Sequence, residues 1–311
     1  MSNTTEQSNK IDFSGRVAIV TGGGGGLGRQ YALALAKRGA KVLVNDLGGA
    51  LDGMGESISA AQQVVDEIKA AGGEAIANGA SVTDFDAVQA MALQAMEAWG
   101  RIDILVNNAG ILRDKSFSKM DLADFRLVVD VHLMGAVHCS KAVWAIMNAQ
   151  RYGRIVMTTS SSGLYGNFGQ SNYGAAKMAL VGLMQTLSIE GAKNNIRVNC
   201  LAPTAATRMT GGLLSKEVLD VLKPEAVVPA MLVLAAQDAP TRTILCAGAG
   251  TFEAAHITLT GGAFIGVGGD APEHLAERLG EVIERVHEIV PLSGSAQGSN
   301  EVGKALAAAA H

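Results

Sequence analysis

Three residues in the middle of the chain have the types and spacing of a proton-transfer site. Ser160, Tyr173 and Lys177 form an S-x12-Y-x3-K arrangement, and the last two stand one turn apart on a predicted helix over 172–192. A phenol with its ordinary pKa near 10 is almost entirely protonated at neutral pH. A neighbouring ammonium stabilises the phenolate, so Tyr173 could serve as a general base while Ser160 hydrogen-bonds the substrate oxygen. Taken alone, the same residues also fit an amphipathic helix and a turn serine.

A glycine-rich segment near the start of the chain indicates a second function. Residues 21–28 read T-G-G-G-G-G-L-G, between a predicted strand over 17–20 and a predicted helix that ends near residue 38. Such a turn lets the backbone approach a pyrophosphate, and the helix N-terminus supplies free N–H groups and a positive dipole. We assign Gly22, Gly26, Leu27 and Gly28 to this site. A flexible linker is the alternative explanation of a glycine run.

An acidic residue follows the next predicted strand and points to the cofactor. The strand covers 41–45, and Asp46 lies 18 residues after Gly28. An acid at this position binds the adenosine ribose hydroxyls and repels the 2′-phosphate of NADP, so we predict NAD. Arg29 is the competing candidate, because a cation can accept that phosphate. Arg29 lies at the start of the predicted helix, however, and we interpret its side chain as solvated or facing the pyrophosphate.

The composition is that of an α/β enzyme and excludes several classes of protein. The 311 residues are 48% hydrophobic and 17% charged, with a net charge of −4 and no basic cluster, which argues against nucleic acid and anionic membranes as partners. The first residues lack the features of a signal peptide, and the last are not a peroxisomal address, so we predict a cytoplasmic protein. The cysteines and histidines have no metal-site spacing, so no metal is expected.

Strand and helix patterns alternate along most of the chain. Further predicted helices cover 56–71, 84–98, 121–149, 172–192 and 224–237, and further predicted strands cover 74–78, 103–106, 153–159, 196–201 and 243–247. Apolar strands between helices are covered on both faces, which predicts a doubly wound, Rossmann-like parallel sheet of about seven strands over residues 1–250. Residues 251–311 differ in character and are predicted to be a C-terminal extension with an amphipathic helix over 272–289.

These motifs together resemble the short-chain dehydrogenase/reductase family over roughly residues 14–250. The matches are the glycine loop, N-N-A-G at 107–110, the Ser-Tyr-Lys arrangement and a proline at 203. The resemblance implies that the glycines hold the pyrophosphate and that Tyr173 and Lys177 also contact the nicotinamide ribose. It further implies a set of cofactor contacts at Asp46 for the ribose, Ser81 and Val82 for the adenine, Asn108, Ala109 and Gly110 beside the cofactor, and Pro203 and Thr207 near the carboxamide.

Longer strings resemble one branch of this family, the (3R)-hydroxyacyl-CoA dehydrogenases of β-oxidation, a group that includes the type 4 17β-hydroxysteroid dehydrogenases. They are V-N-D-L-G-G at 44–49, N-N-A-G-I-L-R-D at 107–114, Y-G-R-I-V-M-T at 152–158 and Y-G-N-F-G-Q at 165–170. The resemblance implies a (3R)-3-hydroxyacyl-CoA substrate, with a hydroxysteroid or a steroid-derived acyl-CoA as the alternative. It also implies an extension that lines the substrate cavity, and a homodimer or homotetramer joined through helices 121–149 and 172–192. A scaffold that senses NAD without turnover is the alternative from another class.

Two departures from the wider family affect the predicted site. His132 stands where most members carry an asparagine that holds a water for proton relay, although the β-oxidation branch resembles this chain there. The histidine either holds the same water or packs, and we include it among the catalytic candidates. The second departure is Pro203-Thr204 in place of the usual Pro-Gly, which places Thr207 one residue closer to the proline.

Overall fold

The structure is a computed structural model that describes residues 10–49, 58–206 and 215–310. It divides the chain into two compact units, the first ending at Ala254 and the second beginning at Ala255. The predicted carboxamide contact Thr207 lies outside the described residues. No helix among the described residues is long and apolar enough to cross a membrane.

An eight-stranded sheet forms the centre of the first unit. Its strands are β1 (Val17–Thr21), β2 (Lys41–Asn45), β3 (Ala75–Asn78), β4 (Ile104–Asn107), β5 (Gly153–Thr158), β6 (Ile196–Thr204), β7 (Ile244–Gly248) and β8 (Thr251–Ala255). They lie in the order β3-β2-β1-β4-β5-β6-β7-β8. The first seven are parallel, as predicted. The eighth follows a two-residue connection in which Ala249 and Gly250 have positive φ, which is the geometry of a hairpin turn.

Helices alternate with these strands and cover both faces of the sheet. In the first unit they are α1 (Gly26–Lys37), α2 (Ser59–Ala70), α3 (Phe85–Trp99), α4 (Leu122–Val129), α5 (Gly135–Gln150), α6 (Ser161–Tyr165), α7 (Ser171–Gly191), α8 (Lys216–Val221) and α9 (Val228–Ala235). β1, β4 and β5 are buried along their whole length, which explains their unbroken apolar sequences. The doubly wound architecture predicted from the sequence is confirmed.

The strand order reverses at β1, which lies between β2 and β4. In open α/β sheets this reversal leaves a crevice outside the carboxyl ends of the strands, where ligands bind. Thr21, Asn107 and Thr158 end β1, β4 and β5, so the glycine loop, the N-N-A-G segment and the candidate residue Ser160 all lie at this edge.

One predicted helix is interrupted and another is shorter than expected. The predicted helix over 121–149 is helical throughout, but Asp130–Met134 forms a π-helical turn between α4 and α5. The prediction of a helix over 272–289 is wrong for the second half of that range. The second unit instead contains α10 (Ala271–Glu277) and α11 (Leu279–Ile283), followed by a bridge in which Ile289 pairs with Leu259, and then α12 (Gly294–Ala309).

Candidate active site

The Ser160 and Tyr173 side chains meet beyond the carboxyl end of β5. Ser160 is the N-cap of α6, where its hydroxyl accepts a hydrogen bond from the Ser162 backbone N–H at 3.2 Å. It is also hydrogen-bonded to the phenol of Tyr173. Ser160 is buried and Tyr173 is half-buried, so water has restricted access to the pair.

Lys177 lies beneath this pair in a buried position. Its Nζ donates a hydrogen bond to the backbone oxygen of Thr158 at 2.6 Å and lies 5.4 Å from the centroid of the Tyr173 ring. Burial disfavours the ammonium and lowers the pKa of Lys177 to about 7. The α7 helix therefore brings a titratable amine close to the phenol, as the i, i+4 spacing predicted.

The phenol does not gain acidity from these residues alone. Burial raises the pKa of Tyr173 above its ordinary value, and the hydrogen bond from Ser160 offsets this in part. The direction differs from the sequence-based expectation of a stabilised phenolate because removing the anion from water opposes ionisation. Further positive charge next to the phenol is needed to make it a base at neutral pH.

The glycine loop has the close contacts and the open space that a pyrophosphate site requires. A Cβ on Gly22 would lie 2.8 Å from the Ala109 Cα, and one on Gly28 would lie 2.1 Å from the Gly22 oxygen, so both positions exclude side chains. Gly26 has a φ of +50°, and a Cβ there would meet nothing within 4 Å. The first turn of α1 has no side-chain cap, so its N–H groups suit an anion. These residues fit a dinucleotide.

Asp46 lies at the end of β2 and contacts this loop directly. Its Oδ2 accepts a hydrogen bond from the Gly24 N–H at 2.8 Å, and its Oδ1 accepts one from the Gly48 N–H at 2.7 Å. A carboxylate offers about four acceptor sites, so ribose hydroxyls can still bind. Arg29, the competing selector, forms an ion pair with Glu67 on α2.

The N-N-A-G segment is hydrogen-bonded to Thr21 and Gly22 at the start of the glycine loop. The Asn108 carboxamide donates to the backbone oxygens of Thr21 and Gly22 at 3.0 and 3.1 Å. The backbone N–H groups of Asn108 and Ala109 donate to the Thr21 hydroxyl at 3.0 and 3.1 Å. Thr21 therefore organises this edge of the site, a role that the sequence analysis missed although the residue opens the glycine motif.

His132 is a buried residue of the π-helical turn. Its ring stands edge-on to Tyr173 with the centroids 5.1 Å apart, and its Nε2 lies 2.8 Å from the Ile111 oxygen and 3.1 Å from the Ile111 nitrogen. A Cβ on Gly110 would lie 2.3 Å from the His132 Cε1, so the glycine of N-N-A-G makes room for this ring. Burial and the nearby Lys177 hold the pKa of His132 well below its usual value, so the ring is neutral.

The remaining predicted cofactor contacts occupy the same edge of the sheet. Ser81 shares a 2.8 Å hydrogen bond with the hydroxyl of Thr83, and Val82 is buried against Gly135 of α5. Pro203 lies near the end of β6, in register with Ala247 of β7. Among the described residues there is no cluster of side chains that could hold a metal ion.

Comparison with protein families gives a match over most of the first unit. A family model described as short chain dehydrogenase matches residues 16–217. Peroxisomal multifunctional enzyme A of Dictyostelium discoideum is 54% identical over 228 residues, which are 73% of this chain and 51% of that protein. A putative short-chain type dehydrogenase/reductase of Mycobacterium tuberculosis is 47% identical over 281 residues, which are 90% of this chain and 96% of that protein.

Solved structures show the same architecture. The full-length peroxisomal multifunctional enzyme type 2 of Drosophila melanogaster superposes with a TM-score of 0.78 at 39% identity, covering 95% of this chain and 50% of that chain. A 7α-hydroxysteroid dehydrogenase complexed with NADH and 7-oxo glycochenodeoxycholic acid superposes with a TM-score of 0.69 at 30% identity, covering 77% and 95%. The chain thus spans between a quarter and about half of the length of the multifunctional relatives that it matches.

Proposed function

The chain belongs to the short-chain dehydrogenase family and is an oxidoreductase acting on CH–OH groups, and from that premise we propose that it oxidises a (3R)-3-hydroxyacyl-CoA to the 3-ketoacyl-CoA with NAD. The observation that carries the reaction is the contact between Ser160 and Tyr173 with Lys177 beneath the phenol. The long strings shared with the β-oxidation branch, together with relatives named peroxisomal multifunctional enzyme, favour the acyl-CoA substrate.

The proposed reaction assigns one task to each of the three residues. Ser160 donates a hydrogen bond to the substrate oxygen, and Tyr173 takes the hydroxyl proton, so the C–O bond becomes a carbonyl as the carbinol hydrogen departs as hydride. A bound nicotinamide would supply the hydride acceptor. Lys177 in its ammonium form stabilises the phenolate that accepts the proton. The step balances because the Tyr173 phenolate takes the proton and the hydride would pass to the bound nicotinamide.

Asp46 supports NAD as the cofactor within the broader class of nicotinamide dinucleotides. Its carboxylate lies at the end of β2, and its hydrogen bonds to Gly24 and Gly48 hold it there. A 2′-phosphate next to this carboxylate would meet like charge. Arg29 forms an ion pair with Glu67, so binding a 2′-phosphate would require Arg29 to break or share that contact.

A hydroxysteroid or a steroid-derived acyl-CoA is the second candidate substrate. The observation that favours it is the similarity to the structure of a 7α-hydroxysteroid dehydrogenase complexed with 7-oxo glycochenodeoxycholic acid. If the protein were a scaffold that senses NAD without turnover, the Ser160–Tyr173 contact would have no function.

The cytoplasmic location and the substrate-lining role of the extension stay predictions. Relatives of the chain carry the word peroxisomal in their names.

The substrate assignment is tested by stereochemistry. The sheet fixes the face of the nicotinamide and the Ser160–Tyr173 pair fixes the oxygen, so only one hydrogen of a chiral carbinol can face the acceptor carbon. We expect NADH formation from R-3-hydroxyacyl-CoA of several chain lengths and almost none from the S enantiomers. Hydroxysteroids run in parallel test the second candidate. Preference for the S form would contradict the acyl-CoA assignment, and the absence of NADH with every alcohol would favour the scaffold.

A further inference from the structure

Two segments are hydrogen-bonded to each other beside the candidate catalytic residues. The first is residues 113–115, which follow the N-N-A-G segment, and the second is residues 169–172, which lead into α7. Three hydrogen bonds, here called the clamp, join consecutive residues of the first segment to the second. They run from the Asn172 Nδ2 to the Arg113 oxygen at 3.0 Å, from the Gln170 Nε2 to the Asp114 Oδ2 at 2.7 Å, and from the Lys115 N–H to the Gly169 oxygen at 2.9 Å.

Asn172 is the fully buried member of the clamp and directly precedes Tyr173. Its side chain is 0% exposed, and its Oδ1 accepts a hydrogen bond from the Tyr173 N–H at 2.7 Å. That N–H lies in the first turn of α7, where backbone donors have no partner within the helix, and the N-cap residue Gln170 makes no side-chain cap. The oxygen of Asn172 therefore holds the backbone of Tyr173, while its nitrogen holds the other segment.

The segment that Asn172 contacts is itself fixed from two directions. It follows the N-N-A-G segment, which is hydrogen-bonded to the start of the glycine loop. The side chains of Arg113 and Lys115 both form ion pairs with Asp124 on α4. Asn172 thus connects Tyr173 to a segment that the glycine loop and α4 hold in place.

A second path leads from the clamp to Ser160. The Gln170 Oε1 accepts a hydrogen bond from the Ser162 hydroxyl at 2.8 Å, and the Ser162 N–H donates to the Ser160 Oγ at 3.2 Å. Gln170 therefore contacts Asp114 with its nitrogen and the first turn of α6 with its oxygen. The clamp is connected to both partners of the Ser160–Tyr173 hydrogen bond.

We propose that Asn172 is a positioning residue that fixes the Tyr173 phenol against Ser160 by tying the first turn of α7 to the segment after N-N-A-G. The inference rests on the proposed dehydrogenase function. Both polar atoms of the Asn172 side chain are engaged by backbone partners, so the residue acts through Tyr173. A displacement of about 1 Å in a reacting group can reduce a rate by about 10²-fold, so the anchor of this turn matters for turnover.

The clamp also acts on the ionisation of Tyr173 in two opposite ways. The hydrogen bond with Ser160 lowers the pKa of the phenol, and the charge of Asp114 raises it. The other titratable groups that face the phenol are the Lys177 amine, whose pKa burial lowers to about 7, and the neutral His132 ring. Loss of the anchor and loss of the Asp114 charge should therefore move the pH profile of alcohol oxidation in opposite directions.

Two variants of Asn172 remove the bond to Arg113. Asn172→Leu has a similar volume and lacks both hydrogen bonds, whereas Asn172→Ser keeps a hydroxyl at the helix start and is too short to reach the Arg113 oxygen. In both we expect kcat for oxidation of R-3-hydroxyacyl-CoA to fall at least about tenfold, with NAD affinity changed by less than about threefold. The acidic limb of kcat/KM should move to higher pH by about half a unit or more, because the contact with Ser160 weakens.

Asn199→Leu is the matched control for a buried asparagine. Asn199 on β6 is also 0% exposed, its Nδ2 donates to the Pro240 oxygen at 2.7 Å, and its Oδ1 accepts from the Thr243 N–H at 3.0 Å. Its loss should lower the temperature of thermal unfolding as the Asn172 variants do. It should leave kcat within about twofold and the pH profile unchanged, because it removes no bond of the clamp.

Asp114→Asn tests the opposite direction. It removes the charge and keeps an acceptor for the Gln170 Nε2. Because Asp114 is exposed, solvent screens its charge, so the acidic limb should move to lower pH by only about 0.2–0.5 unit. The shift should shrink in about 1 M salt. Asp121→Asn is the control, since it removes one charge at the N-cap of α4, where asparagine caps equally well.

NMR of ¹³C-labelled tyrosine in the NAD complex tests the clamp without turnover. The signal of Tyr173 is assigned by its absence in Tyr173→Phe, and its titration should begin at higher pH in Asn172→Ser and at lower pH in Asp114→Asn than in the native protein. Retention of kcat in both Asn172 variants, an equal loss in Asn199→Leu, or shifts of the same sign in Asn172→Ser and Asp114→Asn would overturn the inference. Failure of the native protein to form NADH, with the NMR shifts as expected, would instead contradict the proposed function.

Discussion

In the proposed mechanism, the ionisation of Tyr173 determines whether the substrate hydroxyl can lose its proton. Its phenol contacts Ser160, and burial raises its pKa. We expect Tyr173→Phe to reduce kcat by at least about 10²-fold, because it removes the proton-accepting oxygen and little volume. NAD affinity, measured by fluorescence or calorimetry, should change by less than about threefold, because the loop and Asp46 are untouched. Substantial turnover in this variant would contradict the assignment of Tyr173 as the base.

Asp46 supports the glycine loop through its hydrogen bond to the Gly24 N–H and is also the proposed selector of the cofactor. Because its carboxylate should repel a 2′-phosphate, we expect the native enzyme to prefer NAD over NADP by at least about tenfold, which is about 1.4 kcal/mol. Asp46→Ser should narrow this preference. It should also weaken NAD itself, because the hydrogen bond to the Gly24 N–H is lost. Steady-state kinetics with both cofactors measure the two effects, and equal use of NAD and NADP by the native enzyme would show that the selector lies elsewhere.

His132 should make the protein sensitive to acid. The folded protein excludes a proton that the unfolded chain binds at this histidine below about pH 6.5, since the pKa of His132 is well below its usual value in the folded state. The free energy of unfolding should therefore fall as the pH drops from about 6.5, with a slope approaching about 1.4 kcal/mol per pH unit. Denaturant titrations of His132→Asn should lack this contribution. Replacing the exposed His256 by Asn serves as the control and should leave the slope unchanged.

At the scale of secondary structure, strands and helices are predicted well where the apolar pattern of the sequence matches the burial of the element in the fold. β1, β4 and β5 have unbroken apolar sequences because helices cover both faces of the sheet, and their positions follow from that pattern. The π-helical turn at Asp130–Met134 could not be predicted, because its apolar and polar residues also fit an α-helix. The predicted helix over 272–289 ends early because Ile289 pairs with Leu259, a contact distant in sequence.

The candidate site was predictable in its residue types and not in its internal contacts. The spacing of Tyr173 and Lys177 depends on one helix, so local geometry determines it. The role of Thr21 depends on hydrogen bonds to a segment more than 80 residues away, and the fit of Gly110 against His132 depends on the π-helical turn. The Thr21 contacts arise from the pairing of β1 with β4, and the Gly110 contact arises from the packing of the π-helical turn, so neither is visible in a local pattern.

The junction between the glycine loop and α1 has no room for a side chain at Gly28. A Cβ on Gly28 would lie 2.1 Å from the Gly22 oxygen and 2.5 Å from the Asn108 Nδ2, so Gly28→Ala must displace backbone. We expect a loss of about 1–3 kcal/mol in the free energy of unfolding and a loss of NAD affinity. Gly79→Ala is the matched control, since its Cβ would have only ordinary contacts with Ile58 at 3.7 Å or more. Similar stability of both variants would show that the loop has more room than these contacts indicate.

At the scale of the whole molecule, α7, one of the helices for which we predict pairing between subunits, has exposed apolar side chains. Ile189 on α7 is 51% exposed and Met178 on the same helix is 38% exposed. An open groove of about 670 Å³ lies at the C-terminal ends of α5 and α7, with Trp144 and Ile189 among its lining residues. Apolar residues on exposed helix faces are typical of subunit interfaces, and most soluble oligomers are two-fold symmetric.

We therefore expect a homodimer, or a homotetramer built from such dimers, at micromolar concentration in light scattering. Ile189→Lys places a charge in the predicted interface and should raise the dimer dissociation constant by at least about 100-fold, because an unpaired charge would have to be desolvated. Leu93→Lys is the matched control, since Leu93 is 60% exposed on α3, which is not part of the predicted interface. A monomeric native protein would contradict the prediction outright. Dissociation by the Leu93 variant, with Ile189→Lys still dimeric, would move the interface from α5 and α7 to α3, the neighbour of α5.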